Sequence, residues 1–429
     1  MKNLLITLLA VLLLPFLFAN EARARIEIDI SSAELRKVPV AVPYFIDLDD
    51  PAKKEQAGIK MAALLSKALE FHGFISIIPP ASYDGSQQHD WLVVGSDFTV
   101  IGKYRHEKDN KLLIEIRLID ITTGRMILGR RYRGGATKLR TMLLKFSDLV
   151  VKKMTGEPGV SRTEIAFVSE KNGVKEIYLT DIFGDNLRQI TKHQKLAVSP
   201  RFTPDGKALS YTSYHRGNPN LYLTDLSQDK ITTPISQRKG LNMAPAWAPD
   251  GKTMVITLSA EENPDLYLID LEGNILERLT RNKGINVSPA WSPDGKSLVF
   301  VSDRNGTPQI YVMDLETKDT RRITFVGNYN TSPAWSPRGD LIAYSGHHEG
   351  TYHIFAIPPE GGRPTRITRR WGDHESPSWS PDGRQITFSR KRGEEQKICT
   401  IFRNGAGLRV LFDWDGNESL PQWSPRPAD

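Results

Sequence analysis

At 429 residues the chain is too long for one ordinary domain, and length alone favours about two to four. Hydrophobic residues at 39% and charged residues at 25% allow a substantial core and exclude wholesale disorder. One cysteine, Cys399, excludes an intramolecular disulfide and a cysteine-built zinc site, and the formal charge of +7 comes without a basic block or RNA-binding signature, so no nucleic-acid partner is expected.

In chain order, the first feature reads as an export signal. Lys2 supplies a short positive region, Leu4 to Phe18 is almost wholly apolar, and Ala22-Arg23-Ala24 gives the small-x-small pattern that signal peptidase reads. Residues 1–24 are therefore expected to be removed. The alternative, an uncleaved anchor, is disfavoured because the apolar run of about 15 residues is short of a bilayer span and Pro15 interrupts it. No second apolar run approaches spanning length, so no direct membrane span is expected after cleavage.

Residues 25–156 carry no repeat and read as a small α/β domain. Ile26 to Ile30, Val38 to Ile46, Leu92 to Arg105 and Leu112 to Ile121 look strand-like. Two amphipathic helices are predicted, over Ala52 to Phe71 and Thr137 to Met154. Their stripes are Ala57, Met61, Leu64, Leu65, Ala68 and Leu69 in the first, and Leu139, Met142, Leu143, Phe146, Leu149, Val150 and Met154 in the second. Gly156-Glu157-Pro158-Gly159 breaks the second helix and links the domains. The runs Arg130 to Arg133 and Arg390 to Arg392 are read as solvated strand ends.

The remaining two-thirds is governed by a repeat. Ser-Pro-x-Trp-Ser-Pro-Asp-Gly recurs from Ser199, Ala244, Ser288, Ser332 and Ser376, with a truncated copy from Leu420. Its aromatic position is Phe202, Trp247, Trp291, Trp335, Trp379 and Trp423, at intervals of 45 residues and then four of 44. Proline, aspartate and glycine in that order make a tight reversal. Within one unit Ser297 to Ser302, Gln309 to Leu315 and Thr320 to Thr324 follow as strands, and four antiparallel strands in 44 residues make a propeller blade. Before the first repeat, Glu164 to Ser169, Lys175 to Asp181 and Leu187 to Thr191 supply three strands. After the last, Leu420 to Trp423 supplies the missing one, so the two chain ends build a sixth blade and close the ring. Residues 160–426 are thus expected to be a six-bladed β-propeller in an α+β, two-domain chain. One aromatic per blade is expected to pack between blades, and Arg338-Gly339-Asp340 is a variant of the turn rather than an adhesion motif.

Catalytic motifs are missing: there is no Gly-x-Ser-x-Gly elbow, Walker loop, Rossmann fingerprint or His-Glu-x-x-His. His347, His348 and His353 form the one tight histidine group, placed at a surface turn, and no metal is expected there. Cys399 reads as a buried small hydrophobe.

The export signal, the α/β domain and the six blades together resemble the TolB family of the bacterial Tol-Pal system, over residues 25–426. The blade motif also occurs in propellers of prolyl-oligopeptidase-like and tricorn-like peptidases, which add a catalytic domain; the segment before this ring has no serine elbow. The resemblance implies a periplasmic, non-enzymatic protein without a cofactor. Its propeller would bind the lipoprotein Pal, its N-terminal end TolA, and other envelope proteins would complete a system supporting outer-membrane integrity and constriction at division. The rival reading is an exported propeller-containing peptidase or metal-dependent hydrolase.

The Pal contact is expected in the loops crossing from one blade's outer strand to the next blade's inner strand, just before each Ser-Pro. Those loops are read to contribute Leu241, Asn242, Ala244, Asn286, Val287, Asn330, Thr331, His374, Glu375 and Glu418. The TolA contact is expected in Arg25, Ile26, Glu27, Ile28, Asp29 and Ile30, whose alternation suits a strand that pairs with a partner's sheet edge.

Overall fold

Two bodies follow one another in the computed structural model, which describes residues 37–428 apart from 53, 227–230, 260–262 and 282–283. The expected signal segment 1–24 and the strand at 25–30 lie outside the described residues.

The first body is one sheet covered by two helices. In chain order its elements are β1 (Val38–Ala41), β2 (Ile46–Asp47), α1 (Gln56–Glu70), β3 (Ile75–Ile77), β4 (Phe98–Glu107), β5 (Lys111–Asp120), β6 (Arg125–Gly135) and α2 (Leu139–Thr155). The strand order is β3-β1-β4-β5-β6, with β2 beside β4. The pairs β1/β3 and β1/β4 are parallel, and β4, β5 and β6 are antiparallel. The predicted helix stripes bury against this sheet: Leu65, Leu69, Leu143, Phe146 and Val150 meet Val100, Ile114, Ile116 and Leu118.

Three local expectations need correction. The strand predicted from Val38 to Ile46 stops at Ala41, since Pro43 has no N–H for the ladder. Residues 91–95 are a turn, not the start of β4. Asp90 accepts the Leu92 N–H at 3.1 Å and the Val94 N–H on its carbonyl at 3.2 Å, which leaves Leu92 and Val93 exposed. Arg130 to Arg133 lie in the middle of edge strand β6, not at a strand end. Arg131 reaches Glu115 and Arg133 reaches Glu107 at 2.7 Å, and charged side chains on an outer strand discourage pairing with foreign chains.

The second body is the expected six-bladed ring of four-stranded sheets. The last sheet joins Asn417–Trp423 to Glu164–Lys171, so both chain ends share one blade. Each first strand begins two residues or more before its Ser-Pro, as in Asn286–Trp291. Six equivalent residues, Ser199, Ala244, Ser288, Ser332, Ser376 and Leu420, take φ between 50° and 58°. At each the ladder skips, giving a bulge in every blade. The proline that follows has no N–H to orphan, so the motif's Ser-Pro places the donor-less residue where pairing is already lost.

The tryptophans fasten blade to blade. Trp247 Nε1 donates to Ser210 Oγ at 2.9 Å, and Trp291 and Trp379 donate to the preceding blade's Ala246 and Ala334 carbonyls at 3.0 Å. Trp335 instead donates to Gly339 O in its own turn, and Trp423 to Thr163 Oγ1 at 2.8 Å, joining the chain ends.

The bodies share a core. Ala68 and Leu144 of the helices, with Phe71 just beyond α1, pack with Ile165, Phe167, Ile398, Phe412 and Trp423 of the ring. The linker is pinned as well. His72 Nε2 accepts the Val160 N–H at 3.1 Å, and Asp148 takes the Ser161 N–H at 2.7 Å and Arg162 Nε at 2.9 Å. Among the described residues no helix is long and apolar enough to cross a membrane.

Candidate functional site

The alternation of antiparallel strands gives the ring two faces. One carries the Ser-Pro-Asp-Gly turns and the turns before each outer strand. The N-terminal domain sits there. Arg409 and Gln385 donate to Phe71 O, Arg140 pairs with Asp181 and Asp185 at 2.7 and 2.8 Å, and Glu157 takes Arg338 at 2.9 Å. Arg338 and Asp340, the ends of the Arg-Gly-Asp triplet, are thereby engaged: Arg338 with Glu157 and the Asp382 carbonyl, Asp340 with Arg403. The opposite face carries the loops that cross between blades, and among the described residues none of the N-terminal domain lies on it.

Just beneath that face runs a ring of buried residues that are polar in five of the six blades. At one register, one per blade, stand Ala197, Asn242, Asn286, Asn330, His374 and Glu418, all at most 1% exposed. The three asparagines are tethers. Asn286 Nδ2 donates to Asp265 Oδ1 of the preceding blade at 2.9 Å, and Asn330 Nδ2 to Gln309 Oε1 at 2.8 Å. Asn242 Nδ2 reaches Pro219 O at 3.0 Å. The same acceptors take the outer strand's threonine hydroxyl, Thr280 on Asp265 and Thr324 on Gln309, so one residue ties three strands.

In the next two blades the pattern changes. His374 stacks on His353 with ring centres 5.7 Å apart, and burial holds both imidazoles down at about 4. Glu418 lies 3.8 Å from Lys397 Nζ, and burial raises its carboxyl to about 8. Neither Glu418 oxygen has a hydrogen-bond partner among the described residues.

Through the axis runs a cavity of about 430 Å³, lined by the six bulge residues, four of the prolines that follow them and the motif aromatics. Its one charged lining residue is Arg201.

A family model described as TolB amino-terminal domain matches residues 26–127, and one described as TolB beta propeller domain matches residues 151–427. The chain belongs to the TolB family. It is 44% identical over 221 residues to the Tol-Pal system protein TolB of Desulfotalea psychrophila, covering 52% of this chain and 50% of the relative. Against the Tol-Pal system protein TolB of Desulfosudis oleivorans it is 37% identical over 252 residues, 56% of each chain. The chain thus spans about half the length of the curated relatives it matches. Among solved structures, the TolB crystal structure from Acinetobacter baumannii aligns with a TM-score of 0.80 at 26% identity, covering 91% of this chain and 97% of that one.

Placed in this TolB-family frame, the ten residues expected in the crossing loops sit deeper than expected. Only Leu241 lies in a loop; the other nine are inside first strands. Asn242, Asn286, Asn330, His374 and Glu418 are buried, whereas Val287, Thr331 and Glu375 are half-buried one residue further in. Ala244 is a bulge residue lining the axial cavity. The reason is the strand start. Pairing begins before the Ser-Pro bulge, so the true loops lie upstream, including residues 279–281, 284–285, 323–329 and 367–372.

Those upstream loops carry what sequence reasoning missed. Ile285, Phe325, Val326, Tyr329 and Trp371 are exposed, Phe325 at 71% and Trp371 at 69%. They occupy three successive crossing loops. Arg322 lies over the Phe325 ring at 4.9 Å, and Arg392 over Trp371 at 5.7 Å while donating to its carbonyl at 3.1 Å. Four of the six crossing loops also carry exposed basic residues, Lys192, Lys195, Lys239, Arg281, Arg369 and Arg370, while the loop before Asn417 carries exposed Asp413 and Asp415. The signal in the sequence was Trp371, a tryptophan off the 44-residue register and inside a polar, basic stretch.

The histidine group does not assemble. His353 turns inward, with Thr351 Oγ1 at 2.8 Å and Arg366 Nη2 at 2.6 Å, while His347 packs on Tyr352 and His348 faces Glu349. Among the described residues no three candidate ligands converge on a metal position. Cys399 is buried, and burial pushes its thiol up to about 11, as suits a packing residue.

Proposed function

We propose that this TolB-family chain is a non-catalytic, periplasmic docking component of the Tol-Pal system. In this reading it binds the lipoprotein Pal on the crossing-loop face and TolA through Arg25 to Ile30, in support of outer-membrane integrity and constriction at division. One observation carries the Pal assignment. Exposed apolar and aromatic side chains project from three successive crossing loops, with exposed basic residues on four of the six loops, on the face that the described part of the N-terminal domain leaves open. Contiguous exposed apolar surface with a polar rim is the usual anatomy of a docking site, and buried aromatics carry most of its energy. The basic residues of the loops beside the anchors, Arg281, Arg369 and Arg370, suit a partner surface that is acidic there.

The test is titration calorimetry of the secreted chain against a soluble Pal domain. Trp371→Ala and Phe325→Ala should each weaken binding about tenfold to thirtyfold, the range for losing an aromatic anchor. Leu276→Ala, an exposed change on an outer strand, should leave it unaltered. Equal affinities for all three variants would remove Pal from this face. For the second contact, deleting Arg25 to Asp29 should abolish TolA binding and spare Pal; retention of both sinks that assignment.

A further inference from the structure

We propose that the axial cavity of the propeller is a binding site for a small monocarboxylic acid whose carboxylate seats on Arg201. This inference is independent of the docking face. Aligning the repeats locates the anomaly: where Arg201 stands, the next three blades carry Ala246, Ala290 and Ala334. Its side chain lines the cavity of about 430 Å³, a size within the range of small-molecule sites.

Arg201 is not a structural ion pair. Its guanidinium makes one hydrogen bond, from Nη1 to the Pro200 carbonyl at 2.9 Å, and no carboxylate pairs with it among the described residues. Burial even pulls its pKa down to about 10. The side chain is only half-buried by surface area, yet a partly desolvated guanidinium without a counter-charge still gains from an anion in the cavity.

The rest of the lining chooses among anions. Ser199, Ser288, Ser332 and Ser376 are among the lining residues, and among the described residues no hydrogen bond engages their hydroxyls. The five tryptophan N–H groups, by contrast, are all spent on the frame. The available equipment is therefore one cationic fork, a tier of hydroxyls, and a wall of aromatic, proline and alanine surface. A fork of parallel N–H donors matches a carboxylate. A single positive charge balances a monoanion, whereas a phosphate dianion would keep one charge uncompensated against apolar walls. The wall selects an acid with an aromatic or aliphatic body.

Because five tryptophans line the cavity, intrinsic fluorescence together with calorimetry reads occupancy on the intact chain. The probes are benzoate, its neutral isostere benzamide, and inorganic phosphate. Benzoate should bind saturably and quench, with benzamide and phosphate at least about tenfold weaker. In Arg201→Gln, benzoate should fall to the level of benzamide, and Arg201→Lys should recover part of the difference. The three-probe comparison on the unaltered chain needs no variant, so a poorly folding Arg201→Gln leaves the test intact. Benzamide or phosphate binding as tightly as benzoate overturns the proposal. So does the lack of saturable binding by any probe, or a folded Arg201→Gln that keeps parental benzoate affinity.

Discussion

Replacing Asn286 by alanine separates two roles for the buried ring of polar residues. Sequence reasoning placed Asn286 on a binding surface, whereas the structure makes it a bolt between blades. Its side chain forms three hydrogen bonds: Nδ2 to Asp265 Oδ1 at 2.9 Å, Nδ2 to Gly284 O at 3.1 Å, and Oδ1 from Arg304 Nη2 at 2.8 Å. Two involve charged partners, worth about 1.5 kcal/mol or more each, and the third about 1 kcal/mol. Asp265 keeps Thr280 at 2.6 Å and Arg278 at 2.7 Å, and Arg304 stays over the Tyr311 ring at 4.8 Å, which softens the loss. The net expectation is about 3 kcal/mol lower stability. Asn330 provides an internal standard. Its amide donates to the neutral Gln309 at 2.8 Å and to Val326 O at 3.0 Å, so Asn330→Ala should cost less, about 2 kcal/mol. Urea unfolding measures both, read as a midpoint shift at constant m. Calorimetry against the soluble Pal domain, under conditions where each variant is folded, should show a loss of no more than a few-fold, well below that of the aromatic anchors, because the asparagines act only through the loop backbone they hold. If Asn286→Ala keeps its urea midpoint and loses partner binding, the tether argument is refuted and the residue is a contact after all.

Other perturbations test other joints. Trp423 is 3% exposed, packs beside Phe71 and bonds Thr163 across the closing seam, so Trp423→Ala should cost about 4 kcal/mol. The half-buried Trp335, bonded only to its own turn, should cost about half as much in the same unfolding assay. Gly73 has φ +82°, and an added Cβ would stand 2.0 Å from Phe402 Cζ across the domain interface. Gly73→Ala should therefore lose about 3 kcal/mol through strain and overpacking, visible as a lower melting temperature. His353 and His374 are held neutral down to about 4, while an unfolded histidine takes its proton near 6.5. Their contribution is intact above 6.5 and erodes as pH falls from there toward 4, which denaturation midpoints at pH 7, 6, 5 and 4 would trace. Glu418 has the opposite sign. With its folded value raised to about 8, stability is lost as pH rises from about 4.5 to 8, and Glu418→Gln should abolish up to about 4 kcal/mol of that loss. A parent and variant with parallel pH profiles would show that Glu418 is ionised throughout.

Much of the ring was legible because its information is periodic. A 44-residue interval kept over several blades fixes where strands recur, and the complementary chain ends fix the closure. The strand Ser297–Ser302 was placed to the residue. The N-terminal domain lacks that redundancy, so local chemistry decided against pattern: Pro43 ended β1 early, and the Asp90 turn displaced the start of β4. Its helices showed their core stripes but concealed a second role. Phe71 and Leu144 fall off the main stripe and bury only because another domain meets them there. The binding loops were hardest to read. Burial of Asn242, Asn286 and Asn330 depends on pairing that begins before a bulge, and no composition rule marks such a start. Arg201 was readable in principle, as a charge at a repeat position otherwise held by uncharged residues, but its meaning requires the cavity.

The buried ring and the exposed anchors belong to one device. Asn330 Nδ2 holds the carbonyl of Val326, in the same loop that projects Phe325 and Tyr329, and Asn286 Nδ2 holds Gly284, next to Ile285. Exposed apolar side chains on a slack loop would collapse onto the surface or lose entropy on binding; fixing the loop backbone from beneath lowers that cost. Further round the ring, where His374 and Glu418 replace asparagine, this support is missing. There the Trp371 loop is held from the side, by Arg392 on its carbonyl and over its ring. The same blades are braced on the other face by the apolar core shared with the N-terminal domain, through Ile398, Phe412 and Trp423. One half of the propeller is thus stiffened by polar tethers and the other by a docked domain. The aromatic anchors straddle the junction between them, where the two kinds of bracing make the loop face rigid enough to bind without reordering.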